Sequence, residues 1–383
     1  NDGGSSVLAL TLDMSAAGAA TFNDKITAVG TSVFTNLDIS GDVDVDGTLE
    51  TDNLTVGGAQ GTDGQVLTST GSGVGWEDAA GGVTFKAFGT SSIMVGDDAT
   101  GTISAANYNT GLGVDVFAAL TSGDNNIAVG FQSLAAGTTA ASNTAVGYKS
   151  LTATTTGDSN VAIGTYALDA NTVGDRSVAV GYNALTAQNP DSNVDMYNVA
   201  VGHSAGAAIT TGTNNTLIGG LAGDAITTGG QNVAVGIYSL SANTDGQYNT
   251  AVGRRALLTN TGSDNNTAIG ANALYTFNVA SGNGYNTAVG KNAGFAITTG
   301  TSNTIVGALA GDSITTGANN TAIGVSALDT NTTASSNTAV GSNALGAATT
   351  GALNVAVGSN ALLTVITGTR NSALGVGALQ LNT

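Results

Sequence analysis

The chain has 383 residues, of which 57 are glycine and only 9% are charged, against typical values of ~7% glycine and ~25% charge. A single proline excludes a collagen helix, the absence of cysteine excludes disulfide frameworks and thiolate metal sites, and 41% hydrophobic residues argue against generic disorder. Twenty-six acidic against eight basic residues give a formal charge of −18, which opposes binding to nucleic acid, and no apolar run is long enough to insert in a membrane.

Taken in chain order, residues 1–90 read as a β-rich shaft, attachment and connector region. Leu8, Leu10, Leu12 and Met14 alternate with small or polar residues, and Phe22 and Ile26 follow. Alternation continues through 37–58, with Asp42, Asp44 and Asp46 on the opposite face, which predicts strand, turn and strand with an apolar stripe that needs other chains for burial. Residues 61–76 look like a hairpin and end on the sole tryptophan, Trp76. Asp42-x-Asp44-x-Asp46-Gly47 matches the start of a helix-flanked calcium loop, but its twelfth position is Asn53 where Glu is needed and no helix flanks it, so an acidic strand face is expected.

Residues 91–383 are a repeat. Counted on the glycine of Asn-x-Ala-Val-Gly, seventeen copies run from Gly96 to Gly375 at a spacing of 17 residues, except Gly181 to Gly202 (21) and Gly270 to Gly290 (20). The residue before each indexed glycine is aliphatic, and Ala stands one place earlier in thirteen copies. Leu commonly follows four residues after the glycine, and then a Thr-Thr-Gly turn. Two short strands and two turns per unit are expected. A unit this small cannot bury its own apolar face, whereas stacked units share a core. The pattern therefore predicts an all-β, elongated parallel β-roll or β-solenoid of about seventeen coils, roughly 80 Å long at the ~4.8 Å spacing of paired strands.

Two columns carry further expectations. Asn stands four residues before the glycine in fifteen copies, either as an amide ladder or simply as a turn residue. Gly206, Gly223, Gly294 and Gly311 replace the usual Leu, and each gains an Ile three residues later, which predicts conserved filling of the coil. The Ala or Leu faces of three such rolls are expected to pack together in a parallel homotrimer.

Little in the chain resembles catalytic or cofactor chemistry. His203 is the only histidine, and it lies at a post-glycine position filled elsewhere by Tyr, Thr, Lys or Arg. Gly290-Lys291-Asn292 lacks the spacing and the hydroxyl residue of a phosphate-binding loop. No enzymatic activity, no metal and no cofactor are expected. The two insertions are the candidate receptor-binding loops, through Asn189, Asp191, Asp195 and Tyr197 in the first and Phe277 and Tyr285 in the second. Neutral drift at a tolerant turn is the competing reading.

The repeat Asn-Thr-Ala-Val-Gly-x-x-Ala-Leu followed by Thr-Thr-Gly resembles the 17-residue arrays of bacteriophage tail fibres and related virion fibres. More distantly, it is similar to the head repeats of trimeric autotransporter adhesins of the YadA-like type. The segments 10–25 and 61–69 look like parts of marine phage structural fibres. For residues 91–383 the resemblance implies a left-handed parallel β-roll that assembles as a trimer. It implies a virion structural fibre, extracellular, that works with other virion proteins and a host-surface receptor or glycan. The alternative is an adhesin on a bacterial cell surface, and a polysaccharide-degrading spike is a third class.

Overall fold

The computed structural model describes residues 105–381 and, ahead of them, the strands Thr55–Val56, Ala59–Gln60, Gln65–Ser69, Val74–Asp78, Phe85–Phe88 and Ser92–Val95. The alternating segments before Thr55, including Asp42, Asp44 and Asp46, lie outside the described residues. Two compact units, Asn1–Ala80 and Gly81–Thr383, divide the chain. In the first, Thr55–Val56 pairs antiparallel with Ala59–Gln60, and Gln65–Ser69 with Val74–Asp78, in a register that sets Leu67 opposite Trp76. The hairpin read from 61–76 is therefore present.

The second unit is a parallel β-solenoid. Phe85–Phe88 lies antiparallel to Ser92–Val95, and from there every pairing in the ladder is parallel, from Thr110–Leu112 to Ser372–Leu374. Sixteen three-residue strands follow Ser92–Val95, and equivalent positions stand directly over one another, as in Ala162, Ala179 and Ala200. The ladder is open: among the described residues, Ser372–Leu374 pairs only with Val355–Val357. Both insertions keep this register, since Val178 pairs with Val199 and Thr267 with Thr287.

Each coil holds one three-residue strand, where the alternation suggested two; a second, two-residue strand occurs at the second insertion, where Ser263–Asp264 pairs in parallel with Gly282–Asn283. Across from the strand, the chain is a run of turns in which the second and fourth residues after the indexed glycine are left-handed, for example Lys149 (φ 55°) and Leu151 (φ 50°). These turns still bond between coils, with Leu151 N to Ala167 O at 3.0 Å and Lys149 N to Phe131 O at 2.9 Å. A left-handed leucine costs about 1–2 kcal/mol. Full burial of its side chain is worth a comparable or larger amount, and Leu134, Leu151, Leu185 and Leu257 are all completely buried.

The strand column of Ala and the Leu column meet inside one coil, and both are completely buried within a single chain in every coil before the last, where Ala373 is 7% and Leu379 50% exposed. The expected packing of Ala or Leu faces between rolls is thereby overturned, because a roll this thin spends both on its own interior. What faces outward is the other parity of the strand. The aliphatic residue before each indexed glycine is half-buried or exposed in every coil from Leu112 (50%) through Ile163 (40%) to Leu374 (82%).

The Asn column is an amide ladder, and the left-handed turn residue is the one before it, as at Asn125 and Ser142. Asn126 Oδ1 accepts the backbone N–H of Asn143 at 2.9 Å, and Asn143 Nδ2 donates to the turn carbonyl of Gly157 at 2.9 Å. The same pair of bonds recurs along the interior, as at Asn320 and Asn337. Ser177 interrupts the column, and Gln188 fills the gap: its Oε1 accepts from Asn198 Nδ2 at 3.0 Å and its Nε2 donates to Ser177 Oγ at 3.1 Å. An unpaired buried amide would be costly, so the substitute keeps the column closed.

Candidate functional site

The first insertion is docked, not free. Met196 is completely buried, its N–H donates to Asp175 O, and its carbonyl accepts from Asn214 N. Asp195 pairs with Arg176 and also accepts from the Tyr197 hydroxyl at 3.1 Å, while the guanidinium lies 5.9 Å from the Tyr197 ring centre. The carboxylate of Asp195 pushes the Arg176 pKa further up. Asn189 serves the ladder: its Oδ1 accepts from Thr172 Oγ1 at 2.6 Å and its N–H donates to Thr210 O. Asp191 is exposed.

The second insertion divides differently. Phe277 is completely buried and offers no surface to a receptor. It stands seven residues after Gly270, at the interior position that Ile209, Ile226, Ile297 and Ile314 occupy in other coils. Tyr285 is 58% exposed. Both Tyr197 and Tyr285 sit five residues before an indexed glycine, a regular left-handed position shared with Tyr108 and Tyr248. The six candidates thus form no single site. Asp195 and Tyr197 meet, and the others are apart in the coil or inside it.

A surface that the insertions did not suggest lies just after the glycines. Phe131, Tyr148, Tyr166, Tyr182 and His203, on five successive coils, form a continuous chain of ring contacts with centroids 5.4, 5.3, 6.4 and 5.3 Å apart. Phe131 stacks on Tyr148 and Tyr182 on His203, while Tyr166 stands nearly perpendicular to both of its neighbours. Hydrogen bonding with Tyr148 raises the Tyr166 phenol above its ordinary pKa. Lys149 lies 5.5 Å from the Tyr148 ring centre and Arg255 6.0 Å from that of Tyr238. The sequence signal was the column beside His203, read along the array and not at one histidine.

No family model, curated protein or solved structure matches this chain. Among the described residues, no group of three or more His, Cys, Asp or Glu side chains could hold a metal ion, and no helix is long and apolar enough to cross a membrane. The perturbed carboxylates are instead structural. Asp312 and Asp329 stand at the same position of successive coils, and burial raises both pKa values, with Asp312 adding charge repulsion on Asp329.

A carboxyl whose pKa is raised on folding favours the folded state at low pH, and this contribution is lost as pH rises through the folded value. Lowering pH from 7 toward the ordinary carboxylate range near ~4 should therefore raise the thermal midpoint, and Asp329→Asn should raise it at pH 7 while flattening the dependence. A midpoint that falls steadily over this window, in wild type and variant alike, would contradict the assignment.

Proposed function

We propose that this chain is a structural fibre protein of a phage virion, a tail or collar fibre that assembles as a parallel homotrimer and contributes to host attachment without catalysis. One observation carries the reading. The outward parity of the strand ladder, Thr or Val at one position (Ile127 and Ser372 apart) and Val, Ile or Leu at the other, stays uncovered along sixteen coils. Exposed aliphatic area this extensive is rare on a monomer and marks an interface. Copies in parallel register would bury it by the same rule that stacks the coils. The Asn-Thr-Ala-Val-Gly resemblance supports the same assembly and the virion setting.

The function of such a rod is mechanical. A ladder bonded at every coil resists bending, and three chains carry three copies of each surface residue. Weak contacts then gain avidity without a deep site. Its partners are other copies, neighbouring virion proteins and a host-surface receptor or glycan, and its place is outside the cell on the particle. Light scattering should give about three times the 37.0 kDa chain mass, and labelled antibody should decorate virions along a fibre. A stable monomer overturns the trimer. Labelling of a bacterial surface in the absence of particles overturns the phage assignment in favour of an adhesin.

A further inference from the structure

Charge is segregated around the coil. Of the six Lys and Arg residues after residue 105, Lys149, Arg254, Arg255 and Lys291 stand one or two places after an indexed glycine, and His203 joins them. From Phe131 to the end of the array no carboxylate occupies either column, although the whole chain carries −18. Asp residues gather three places further on, five after the glycine at Asp169, Asp224, Asp312 and Asp329, and the charge of Asp169 reaches Tyr166 on the ribbon. None of the four cations forms an ion pair among the described residues. The same edge carries the aromatic ribbon, with Tyr148 41% and Tyr182 48% exposed. One edge of the roll is therefore aromatic, hydroxyl-bearing and sparsely cationic.

We propose that this edge, from Phe131 to Lys291, binds an acidic polysaccharide laid along the roll axis, the aromatic rims meeting sugar C–H groups and the cations meeting its carboxylates. Spacing favours this ligand. The coil repeat of ~4.8 Å is about the length of one sugar residue. Lys149, the Arg254-Arg255 pair and Lys291 are separated by six and two coils, which suits a polymer charged at every second residue. A nucleic acid strand carries a phosphate roughly every 3.4 Å in a duplex, far denser than these cations, and it would meet the acidic remainder of the chain. The edge is also a poor seam between copies. Placed on the symmetry axis of a parallel assembly, Arg254 and Arg255 would meet their own equivalents, whereas the Val and Thr face carries no charge.

The proposal rests on the attachment reading above, and its test is separable from it. Full-length protein would be measured against hyaluronan, which bears one carboxylate per disaccharide, neutral dextran and oligo(dT), at low and high salt. Wild type should bind hyaluronan in a salt-sensitive manner and leave dextran. Lys149→Ala/Arg254→Ala/Arg255→Ala should weaken binding at least about tenfold, as should Tyr148→Ala/Tyr182→Ala. Arg176→Ala/Arg370→Ala, cations on a different column, should change it little, and Arg254→Lys/Arg255→Lys should retain it. Absence of hyaluronan binding, equal binding to dextran, equal loss in the control, or tighter binding to oligo(dT) overturns the proposal. Light-scattering mass and virion labelling test the fibre reading independently, so a trimer on the particle that ignores hyaluronan sinks this proposal alone.

Discussion

Gly253→Ala should be among the most damaging single substitutions in the array, whereas Gly220→Ala, two coils away, should be nearly silent. Gly253 has φ +134°, a conformation that residues with a side chain rarely adopt, and an added Cβ would lie 2.6 Å from both the carbonyl carbon and oxygen of Gly270. That carbonyl belongs to the backbone of the next coil, and it cannot swing aside as a side chain would. Gly270 is itself held by its N–H to Val252 O at 2.7 Å. Gly220 has no atom within 4 Å of its would-be Cβ. Strain of 1–3 kcal/mol together with the steric conflict places the loss at about 4 kcal/mol or more, against ~0.5 kcal/mol or less at Gly220. In a quasi-one-dimensional array the defect also uncouples its two sides. Hydrogen exchange should then show fast opening around coils 236–270 and a broadened or split thermal transition. Equal midpoints for the two variants would mean that the coils do not approach as closely as these glycines require.

The contrast between neighbouring glycines shows what was legible in the sequence. The repeat gave the coil, because a residue type recurring every 17 positions must recur in space once the coils stack. The direction of the strand side chains followed from β-branched alternation. The opposite side misled, because Leu151 and its equivalents lie two residues from Lys149-type positions and mimic alternation, yet they are left-handed turn residues. The turn run differs from a strand in burying two consecutive side chains, as at Ser150 and Leu151, and the small residue before each leucine hides that in the sequence. Phe277 misled for a related reason. It lies within an insertion, but numbered from Gly270 it falls in the interior column of Ile226. The aromatic and cationic edge was visible only as two columns read through ten coils; no single coil carries it.

The compensation between Gly223 and Ile226 gives the second large effect, and it is a test of shared volume. Gly223 is left-handed at φ +55°, close to Leu240 (φ 52°) and Leu257 (φ 50°) at the same position in nearby coils. Leucine is therefore acceptable to the backbone there, and only the neighbours forbid it. A Cβ at Gly223 would lie 2.7 Å from Ile226 Cδ1 and 2.9 Å from Leu217 Cδ2. Leu217 stands where most coils have Ala, as does Ile305 beside Gly311, so two larger residues fill what each missing leucine leaves. Gly223→Leu should overpack and cost about 1–3 kcal/mol. Ile226→Ala should leave a cavity and cost about 2–5 kcal/mol. Together they reproduce the pairing of Leu345 with Ala348, both completely buried in their own coil. The double variant should accordingly be more stable than the sum of the two losses by at least about 1 kcal/mol, since contacting residues are coupled. Urea unfolding of the four proteins measures that coupling. Additive losses would show that the two side chains do not compete for one volume, and the Gly and Ile columns would then vary together without a packing cause.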